Sequence, residues 1–234
     1  MTQRPTQPIH IDFVSDVACP WCAIGLSSLH RALERLGDTV QAEIVIHPFE
    51  LNPGMRPEGE SIVDYLGKKY GRTPEQIVEA QEMIRERGAE VGFVFGAQRT
   101  HVYNTFDAHR LLHWAREAGG GKQLALKLAL LRAYHGEGKD TSNHDVLADA
   151  ARVAGLDVVQ ARAILAGTDH ADAVRAEIQQ YQSLGISSVP SIIFNERYLI
   201  SGGQPVDTFV EAIKNIINQD SQGNHEGANG KPGA

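Results

Sequence analysis

Near the beginning of the chain, the pattern of apolar and polar residues changes from a period of two to helical spacing. Apolar residues alternate with polar ones over 9–13, which predicts a half-buried strand. Leucines at steps of three and four over 26–36 predict a helix with a left-handed C-terminal cap at Gly37. An apolar run within 43–47 predicts a second strand. Strand, helix and strand at this length imply a right-handed crossover between two parallel strands.

The middle of the chain, over 53–184, has a helical pattern. Thr73, followed by Pro74 and then by an acidic residue and a glutamine, predicts a capping box at the start of a helix. Asn104 is a candidate cap for the run "TFDAHRLLHWAREAG". The one β signal in this region is a short piece at Phe93–Phe95. Further helices are predicted over 122–135, 143–154, 158–166 and 169–184.

Strand character returns near the carboxyl terminus. The segments "SIIF" and "YLIS", separated by a turn at Asn195 and Glu196, predict an antiparallel β-hairpin. A last helix is predicted from near Pro205, because apolar residues recur there on one face. The tail from residue 219 has no apolar anchors, so we expect it to be disordered.

The composition is that of a globular protein, with 42% hydrophobic residues and a net charge of −7. Acidic and basic residues are mixed along the chain, so we expect no nucleic-acid partner. The chain has no apolar run of about 18 residues to cross a membrane, and "MTQRPTQPIHIDF" lacks the apolar core of a secretory signal. We therefore expect a cytoplasmic protein with no membrane partner, as a monomer or a homodimer.

The two cysteines of the chain, Cys19 and Cys22, are three positions apart. A structural disulfide is disfavoured, because so short a loop constrains the unfolded chain little. His109 and His113 would complete a Cys₂His₂ zinc site, but about ninety residues separate them from the cysteines, where zinc fingers have about a dozen. Packed or surface histidines are the preferred interpretation. In a cytosolic chain an adjacent pair is more often catalytic or metal-binding than structural. Since the spacing disfavours zinc, we expect redox chemistry and no metal.

The predicted strand passes into the predicted helix at Cys19. Its sulfur would lie beside unpaired N–H groups and the positive end of the helix dipole, which favours the thiolate. Pro20 suits the first helical turn, because its missing N–H would be unpaired there. Cys22 would lie one turn further on, shielded, within reach of a mixed disulfide at Cys19. Thiol–disulfide exchange requires such an exposed attacking thiol and a nearby resolving thiol.

Four motifs of the sequence point to one family: "DVACPWCAIG", "FELNP", "NTFDAHRLLHWA" and "GISSVPSIIFNERYLISGG". Together they resemble the thioredoxin superfamily and, within it, the DsbA-like oxidoreductases of the FrnE subfamily, over the chain up to about Asn218. The resemblance implies an α/β, thioredoxin-like fold with a mixed central sheet and a large all-helical insertion. The implied boundaries are 1–52 and 185–218 for the two parts of the thioredoxin-like domain, 53–184 for the insertion and 219–234 for a disordered tail.

The resemblance also implies roles for the residues around the cysteines and for the loop before "SIIF". The position of Trp21 between the two cysteines itself leaves two interpretations, a hydrophobic cover or a residue that contacts the substrate. The full set of implied roles is nucleophile for Cys19, resolving thiol for Cys22, tuning for Pro20 and Trp21, a cis peptide bond facing the dithiol for Pro190, and backbone pairing with a substrate chain for Val189.

Two acidic residues precede the dithiol. Asp16 lies three residues before Cys19, and if it faces the sulfur its negative charge would raise the thiol pKa. A solvated loop or cap acid is the alternative interpretation of Asp16. Asp12 is a candidate for the buried acid beneath the dithiol that thioredoxin-like folds often carry for proton transfer. Alternation alone does not decide whether Asp12 points inward.

The leading hypothesis is a disulfide oxidoreductase that exchanges disulfides with a peptide or a small thiol. It needs no cofactor, and glutathione is the candidate co-substrate. A second hypothesis is a glutathione-dependent isomerase or transferase of the kappa-class or 2-hydroxychromene-2-carboxylate isomerase type. Those relatives typically have serine where Cys19 stands, so two retained cysteines favour redox chemistry. A third hypothesis is a chaperone-like binding protein with no enzymatic activity.

Overall fold

The computed structural model describes residues 7–56 and 58–228, with side chains as far as residue 219. The strands in this part of the chain are β1 (Gln7–Ser15), β2 (Val40–Pro48), β3 (Glu60–Ser61), β4 (His101–Val102), β5 (Ser191–Phe194) and β6 (Tyr198–Ser201). The α-helices are α1 (Pro20–Leu36), α2 (Ile62–Tyr70), α3 (Pro74–Glu90), α4 (Phe106–Glu117), α5 (Lys122–Leu131), α6 (His144–Val153), α7 (Val158–Ala166), α8 (Ala171–Ser183) and α9 (Val206–Ala228). A π-helical turn, Arg132–Gly136, continues α5.

Strand β1 lies inside a four-stranded mixed sheet with the order β2-β1-β5-β6. At Ile11 it pairs parallel with Ile44 of β2 and antiparallel with Phe194 of β5. The predicted parallel pair and mixed sheet are confirmed. The prediction that β1 is half buried is wrong for its second half, which is buried at every residue over 11–15. The reason is that helices cover both faces of this strand, which alternation could not show.

Strands β5 and β6 form the predicted antiparallel hairpin. Asn195 and Glu196 both have positive φ, 49° and 56°, and the N–H of Arg197 donates to the carbonyl oxygen of Phe194 at 3.0 Å. Two central residues with positive φ define a type I′ turn, whose twist matches that of the strands it joins. The hairpin holds β5, and with it the loop before β5, against the centre of the sheet.

Helices α1 and α9 cover one face of the sheet. Leu29 of α1 and Phe209 of α9 are fully buried and belong to one core with Ile11 and Phe13 of β1. Burial of each such side chain stabilises the fold by about 1.5–3 kcal/mol. The opposite face carries a smaller core around Val14, to which α8 contributes. The carboxyl end of β1 is therefore fixed between two packed layers.

The edge strand β2 is closed by a side chain of the insertion. Gln123 of α5 accepts from the N–H of Ile46 at 3.0 Å and donates to the carbonyl oxygen of the same residue at 2.8 Å. The amide thus takes the place of a neighbouring strand, which an edge strand otherwise lacks. This contact fixes the position of α5 relative to the sheet.

The region between β2 and β5 contains α2 to α8, so the predicted helical insertion is confirmed. The predicted capping box at Thr73 is present, and the side chain of Asn104 accepts from the N–H of Phe106 at the start of α4. The prediction of an all-helical insertion is too simple, because β3 and β4 form a two-stranded antiparallel sheet. Strands of two residues are too short to show a period. The predicted strand at Phe93–Phe95 is wrong, and the two phenyl rings instead pack 4.7 Å apart.

The ends of two helices differ from their predictions. Gly37 ends α1 with the predicted positive φ, but its ψ of −140° is not that of a left-handed helix. Helix α9 continues to Ala228, so the prediction of disorder is wrong for 219–228. These residues include no proline, so nothing interrupts the helical hydrogen bonds. The rest of the predicted tail, 229–234, lies outside the described residues.

None of the helices in 7–56 and 58–228 combines the length and apolar character needed to span a membrane.

Candidate functional site

The two cysteines lie where β1 passes into α1. Cys19 is the N-cap residue of α1, with an extended backbone, and Pro20 is the first residue of the helix as predicted. The N–H of Cys22 donates to the carbonyl oxygen of Cys19 at 3.1 Å, which places the two residues one turn apart. Both thiols are free. The sulfur of Cys19 is therefore at the helix end whose N–H groups have no helical partner.

The two thiols have opposite pKa shifts. The hydrogen bond from the Cys22 thiol lowers the pKa of Cys19 below its ordinary value, although burial and the charge of Asp16 act to raise it. Burial raises the pKa of Cys22 well above its ordinary value, and the hydrogen bond to Cys19 adds to this effect. Cys19 therefore ionises first, and Cys22 keeps its proton.

Neither thiol is exposed. Cys19 is 4% exposed and Cys22 is fully buried, so the prediction of an exposed attacking thiol is wrong. The loop before β5 covers the dithiol, and the carbonyl oxygen of Val189 lies 3.6 Å from Sγ of Cys19. The peptide bond between Val189 and Pro190 is cis, as the resemblance predicts. Sequence patterns could not show that this loop would close over the sulfur.

Two glycines allow the covering loop to approach α1. A Cβ on Gly25 would lie 3.1 Å from Cγ of Pro190 and 3.3 Å from Cα of Gly203. A Cβ on Gly203 would lie 2.9 Å from the carbonyl oxygen of Trp21. All three distances are shorter than ordinary van der Waals contacts, so a larger residue at Gly25 would push the loop away from the dithiol. The half-buried Trp21 is thereby held between the two cysteines and the residues after β6.

A groove of about 610 Å³ leads to Cys19. Helices α2 and α3, the residues after β2 and the loop before β5 form its walls. The walls are mainly apolar, and their members include Trp21, Phe49, Leu51, Ile62, Tyr65 and Val189. Lys69, Arg72 and Arg99 add positive charge, and Glu50 adds one carboxyl group whose pKa is raised by burial. The groove can take an extended chain or a small anionic thiol.

Asp16 is buried beneath the dithiol, so its interpretation as a solvated acid is wrong. Its carboxylate accepts from the N–H of Ala18 at 3.2 Å and from the N–H of Leu51 at 2.7 Å. Nε2 of His109 lies 3.4 Å from the same carboxylate. Burial acts to raise the pKa of Asp16, but His109 and the N–H of Leu51 hold it below its ordinary value. Asp16 is therefore ionised, and its charge raises the pKa of Cys19.

Lys127 is a functional candidate that the sequence analysis missed. It lies on α5 and is fully buried, and its Nζ has no hydrogen-bond partner among the residues that the structure describes. Burial lowers the pKa of Lys127, while the charges of Cys22, Asp16 and Cys19 act to raise it. In return, the ammonium group lowers the pKa of Cys22. A single lysine inside the apolar run "LALKLALL" was the available signal.

His135 is a second buried group that the sequence analysis did not single out. It lies in the π-helical turn, and its Nε2 is 2.9 Å from the carbonyl oxygen of Val17, two residues before Cys19. Burial and the charge of Arg99 lower the pKa of His135 well below its ordinary value. His135 is therefore neutral and donates a hydrogen bond to the loop that carries the dithiol. Single π-helical turns are often found at functional sites.

Asp12, the candidate for the buried acid beneath the dithiol, has histidine partners. Its carboxylate accepts from Nε2 of His47 at 2.8 Å and lies 3.1 Å from Nε2 of His10. The carboxylate whose charge acts on Cys19 is that of Asp16. Asp12 instead belongs to a polar network between the sheet and α8.

The structure does not assemble the Cys₂His₂ alternative. His109 faces Asp16, and Nδ1 of His113 lies 3.1 Å from a carboxylate oxygen of Glu177. Within 7–56 and 58–228, neither histidine forms a ligand cluster with the cysteines.

Residues 10–214 match the family described as the DSBA-like thioredoxin domain. A solved structure described as a probable DsbA oxidoreductase from Streptomyces coelicolor is 31% identical to this chain, with a TM-score of 0.82. The match covers 88% of this chain and 89% of that one.

Two more distant structures share the fold. A 2-hydroxychromene-2-carboxylate isomerase has a TM-score of 0.68 at 15% identity, over 91% of this chain and 98% of that one. The cytosolic disulfide reductase DsbM from Pseudomonas aeruginosa, solved with GSH, has a TM-score of 0.60 at 18% identity, over 89% of this chain and 99% of that one. At these identities the likeness concerns the fold alone.

Proposed function

Because the chain belongs to the DSBA-like thioredoxin domain family, we propose that it is a thiol–disulfide oxidoreductase in which Cys19 and Cys22 are the redox pair. The observation that carries this proposal is the opposite shift of the two thiol pKa values, one helical turn apart beside a groove. A lowered pKa supplies the attacking thiolate, and a raised pKa keeps the second thiol from competing with it.

In the reductive direction, the thiolate of Cys19 attacks one sulfur of a substrate disulfide. The substrate S–S bond breaks, a mixed disulfide forms at Cys19, and the leaving substrate thiolate takes a proton. Cys22 then loses its proton and attacks Sγ of Cys19, which releases the second substrate thiol. Two electrons have passed to the substrate, and the protein holds a Cys19–Cys22 disulfide. The same steps in reverse oxidise a substrate dithiol.

The raised pKa of Cys22 makes its deprotonation the step that needs help. The ammonium group of Lys127 lowers the pKa of Cys22. Burial lowers the pKa of Lys127 itself and so favours its neutral amine, the form that can accept the proton of Cys22. We assign Lys127 to this proton transfer. The buried charge of Asp16 raises the pKa of Cys19 and so destabilises the thiolate of the reduced form, which lowers the reduction potential of the pair.

For the substrate, we propose a peptide or small-molecule disulfide with glutathione as the returning thiol. The carbonyl of Val189, 3.6 Å from Sγ of Cys19, is placed to accept from a substrate N–H when the thiol becomes a disulfide. The positive groups Lys69, Arg72 and Arg99 suit the carboxylates of glutathione. The presence of GSH with the DsbM reductase, which has the same fold, agrees with this choice. We further propose the FrnE subfamily, on the four motifs of the sequence, and a cytoplasmic location, with which the cytosolic disulfide reductase of the same fold agrees.

The first experiment is the equilibrium oxidation of the dithiol in a series of glutathione buffers. Trp21 fluorescence reports the reaction, thiol alkylation counts the free cysteines, and a Trp114→Phe background removes the signal of the second tryptophan. We expect one reversible two-electron transition. For such a couple, a difference of roughly 30 mV in reduction potential corresponds to about 1.4 kcal/mol. In the Cys22→Ser variant, glutathione should remain bound to Cys19 as a mixed disulfide.

Two outcomes would contradict the proposal. Thiols that stay reduced in every buffer would exclude a working redox pair. A Cys19→Ser variant that retained catalysis with a glutathione conjugate would instead favour the isomerase or transferase class, whose members typically have serine there.

A further inference from the structure

Three metal-binding side chains meet where α4 ends and α8 begins. His113 and Glu117 are one turn apart on α4, and His170 is the N-cap residue of α8. One ligand atom from each lies within 4.8 Å of the other two. Nε2 of His113 is 3.6 Å from Oε1 of Glu117, and Nδ1 of His170 is 3.9 Å from Oε2 of the same carboxylate. None of these residues lines the groove at Cys19.

The distances are close to those of a metal site. Zinc lies about 2.0–2.2 Å from nitrogen and oxygen ligands, so neighbouring ligand atoms of a tetrahedral site are roughly 3.3–3.5 Å apart. The observed separations exceed this by only a few tenths of an ångström at the Glu117 carboxylate. Its side chain is 57% exposed and can rotate to shorten both distances. The two imidazole rings, with centroids 5.4 Å apart, supply the fixed part of the site.

A second carboxylate orients His113. Nδ1 of this histidine is 3.1 Å from Oε2 of Glu177, which leaves Nε2 directed to Glu117. Arg116 holds Glu177 in place through both carboxylate oxygens, at 2.7 Å and 3.1 Å, and its Nη2 also lies 3.0 Å from Nδ1 of His113. A carboxylate behind a histidine is the usual outer partner of a zinc-bound imidazole, because it fixes the ring and the tautomer.

The backbone fixes His170 at the same place. Its φ of 62° is in the left-handed region, which is uncommon for a residue other than glycine, and histidine is among the residue types enriched there. This conformation directs the imidazole from the start of α8 toward the last turn of α4. The two carboxylates near the site, against the single guanidinium of Arg116, leave a negative charge for a cation.

We propose that His113, Glu117 and His170 bind a divalent transition metal of the zinc class. Imidazole nitrogens and one carboxylate are suitable ligands for Zn²⁺, and the exposed side of Glu117 leaves a fourth position for solvent. The metal would join the end of α4 to the start of α8. This proposal departs from the expectation of no metal in the sequence analysis, and it does not rest on the proposed redox function.

The test is a titration of the full chain with Zn²⁺ alone, after oxidation of Cys19 and Cys22 to their disulfide so that the thiols cannot bind the metal. The test variants are Glu117→Gln and His170→Asn, since asparagine tolerates a positive φ. The matched control is His30→Ala, which removes the histidine of another exposed His–Glu pair, 3.3 Å from Glu34 and also one turn apart. Co²⁺ provides a second probe, because its absorption distinguishes nitrogen and oxygen ligands from thiolates.

We expect one Zn²⁺ per oxidised chain, a Co²⁺ spectrum without thiolate bands, and a rise in the thermal midpoint when Zn²⁺ is present. Both test variants should lose at least tenfold in affinity, and Glu177→Gln should lose roughly 10–100-fold. The His30→Ala variant should bind as the wild type does. Equal affinity in the wild type and in both test variants would overturn the proposal, and so would an equal loss in His30→Ala.

Discussion

The carboxylate of Asp16 lies 3.4 Å from Nε2 of His109, and each of the two side chains is 1% exposed. This buried contact keeps a negative charge beneath Cys19, where it raises the thiol pKa. The Asp16→Asn variant should therefore have a lower Cys19 pKa and a more oxidising dithiol, because the thiolate of the reduced form is stabilised. Thiolate absorbance against pH measures the first effect, and a glutathione titration measures the second.

The matched control for this prediction is Asp12→Asn, which removes another buried acid from the same strand region. Its partners are His47 and His10, so the Cys19 titration should not change. Asp16→Asn should also lower the free energy of unfolding by about 1–3 kcal/mol, since one of two buried N–H groups loses its acceptor. If both variants titrate like the wild type, Asp16 has no part in tuning the dithiol.

Lys127 should reduce stability while it assists the thiol chemistry. Replacement by methionine fills a similar volume and removes an unpaired buried amine, so Lys127→Met should raise the free energy of unfolding at neutral pH by about 1–3 kcal/mol. It should also slow resolution of a mixed disulfide, because the pKa of Cys22 rises when the ammonium charge is lost. Chemical denaturation and the release rate of a labelled thiol from Cys19 measure the two effects.

The pH dependence checks the same assignment. The pKa of Lys127 is lowered in the folded protein, so the unfolded chain binds more protons between that pKa and the ordinary value of 10.5. The stability difference between Lys127→Met and the wild type should therefore be largest below the lowered pKa of Lys127 and shrink as the pH rises from there to 10.5. A stability difference between the two proteins that increased with pH would be inconsistent with a buried amine at this position.

Gly25 should be needed for the position of the loop that covers the dithiol. In Gly25→Ala the new Cβ would meet Pro190 and Gly203, so we expect a loss of about 1–3 kcal/mol in the free energy of unfolding from overpacking. The exchange rate at Cys19 should change as the Val189 carbonyl moves. Gly67→Ala is the helical control, because its Cβ would meet only a backbone oxygen of Arg72 at 3.5 Å. The free energy of unfolding of this control should rise by roughly 0.5–1 kcal/mol.

His47 should make stability depend on pH near neutrality. Burial acts to lower its pKa, but Asp12 and Glu177 raise it above the ordinary value of 6.5. A raised histidine pKa gives a contribution that is complete below 6.5 and is lost as the pH rises through the folded value. The pKa of Glu177 is lowered, so its contribution is present above 4.5 and is lost at lower pH.

The network should therefore stabilise the protein most between pH 4.5 and 6.5. In this window His47→Asn should cost about 3 kcal/mol, from the loss of two hydrogen bonds to charged groups at about 1.5–3 kcal/mol each. The cost should become smaller at alkaline pH. His30→Ala removes a histidine from an exposed ion pair, so its free energy of unfolding should remain within about 0.5 kcal/mol of the wild-type value at every pH. A cost of His47→Asn that is independent of pH would contradict the assigned pKa shift.

Sequence analysis found the dithiol and most of the elements around it. Cys19 and Cys22 are identified by their spacing, and the hairpin of β5 and β6 by its turn residues. These features are local, because they depend on neighbours within a few positions. The cis peptide bond before Pro190 came from the family resemblance, since no local pattern predicts it.

The features that were missed depend on contacts across the fold. Asp16 lies in the short segment between the predicted strand and the dithiol, where an acid can equally be solvated, and the approach of α4 buries it against His109. Lys127 falls within the helix predicted over 122–135, and its burial depends on how Gln123 fixes α5 against β2. His170 and His113 are far apart in sequence, so no spacing rule could place them together.

The pairing of β1 with β5 joins two ends of the chain, and this has a consequence for synthesis. Cys19 and Val189 are separated by 170 positions. At a translation rate of about 5–20 residues per second, the dithiol emerges from the ribosome roughly 10–30 s before the loop that will cover it. During that interval both thiols are open to oxidants and to other nascent chains. The dithiol is thus among the first parts of the protein to be made, and its surroundings are among the last to be completed.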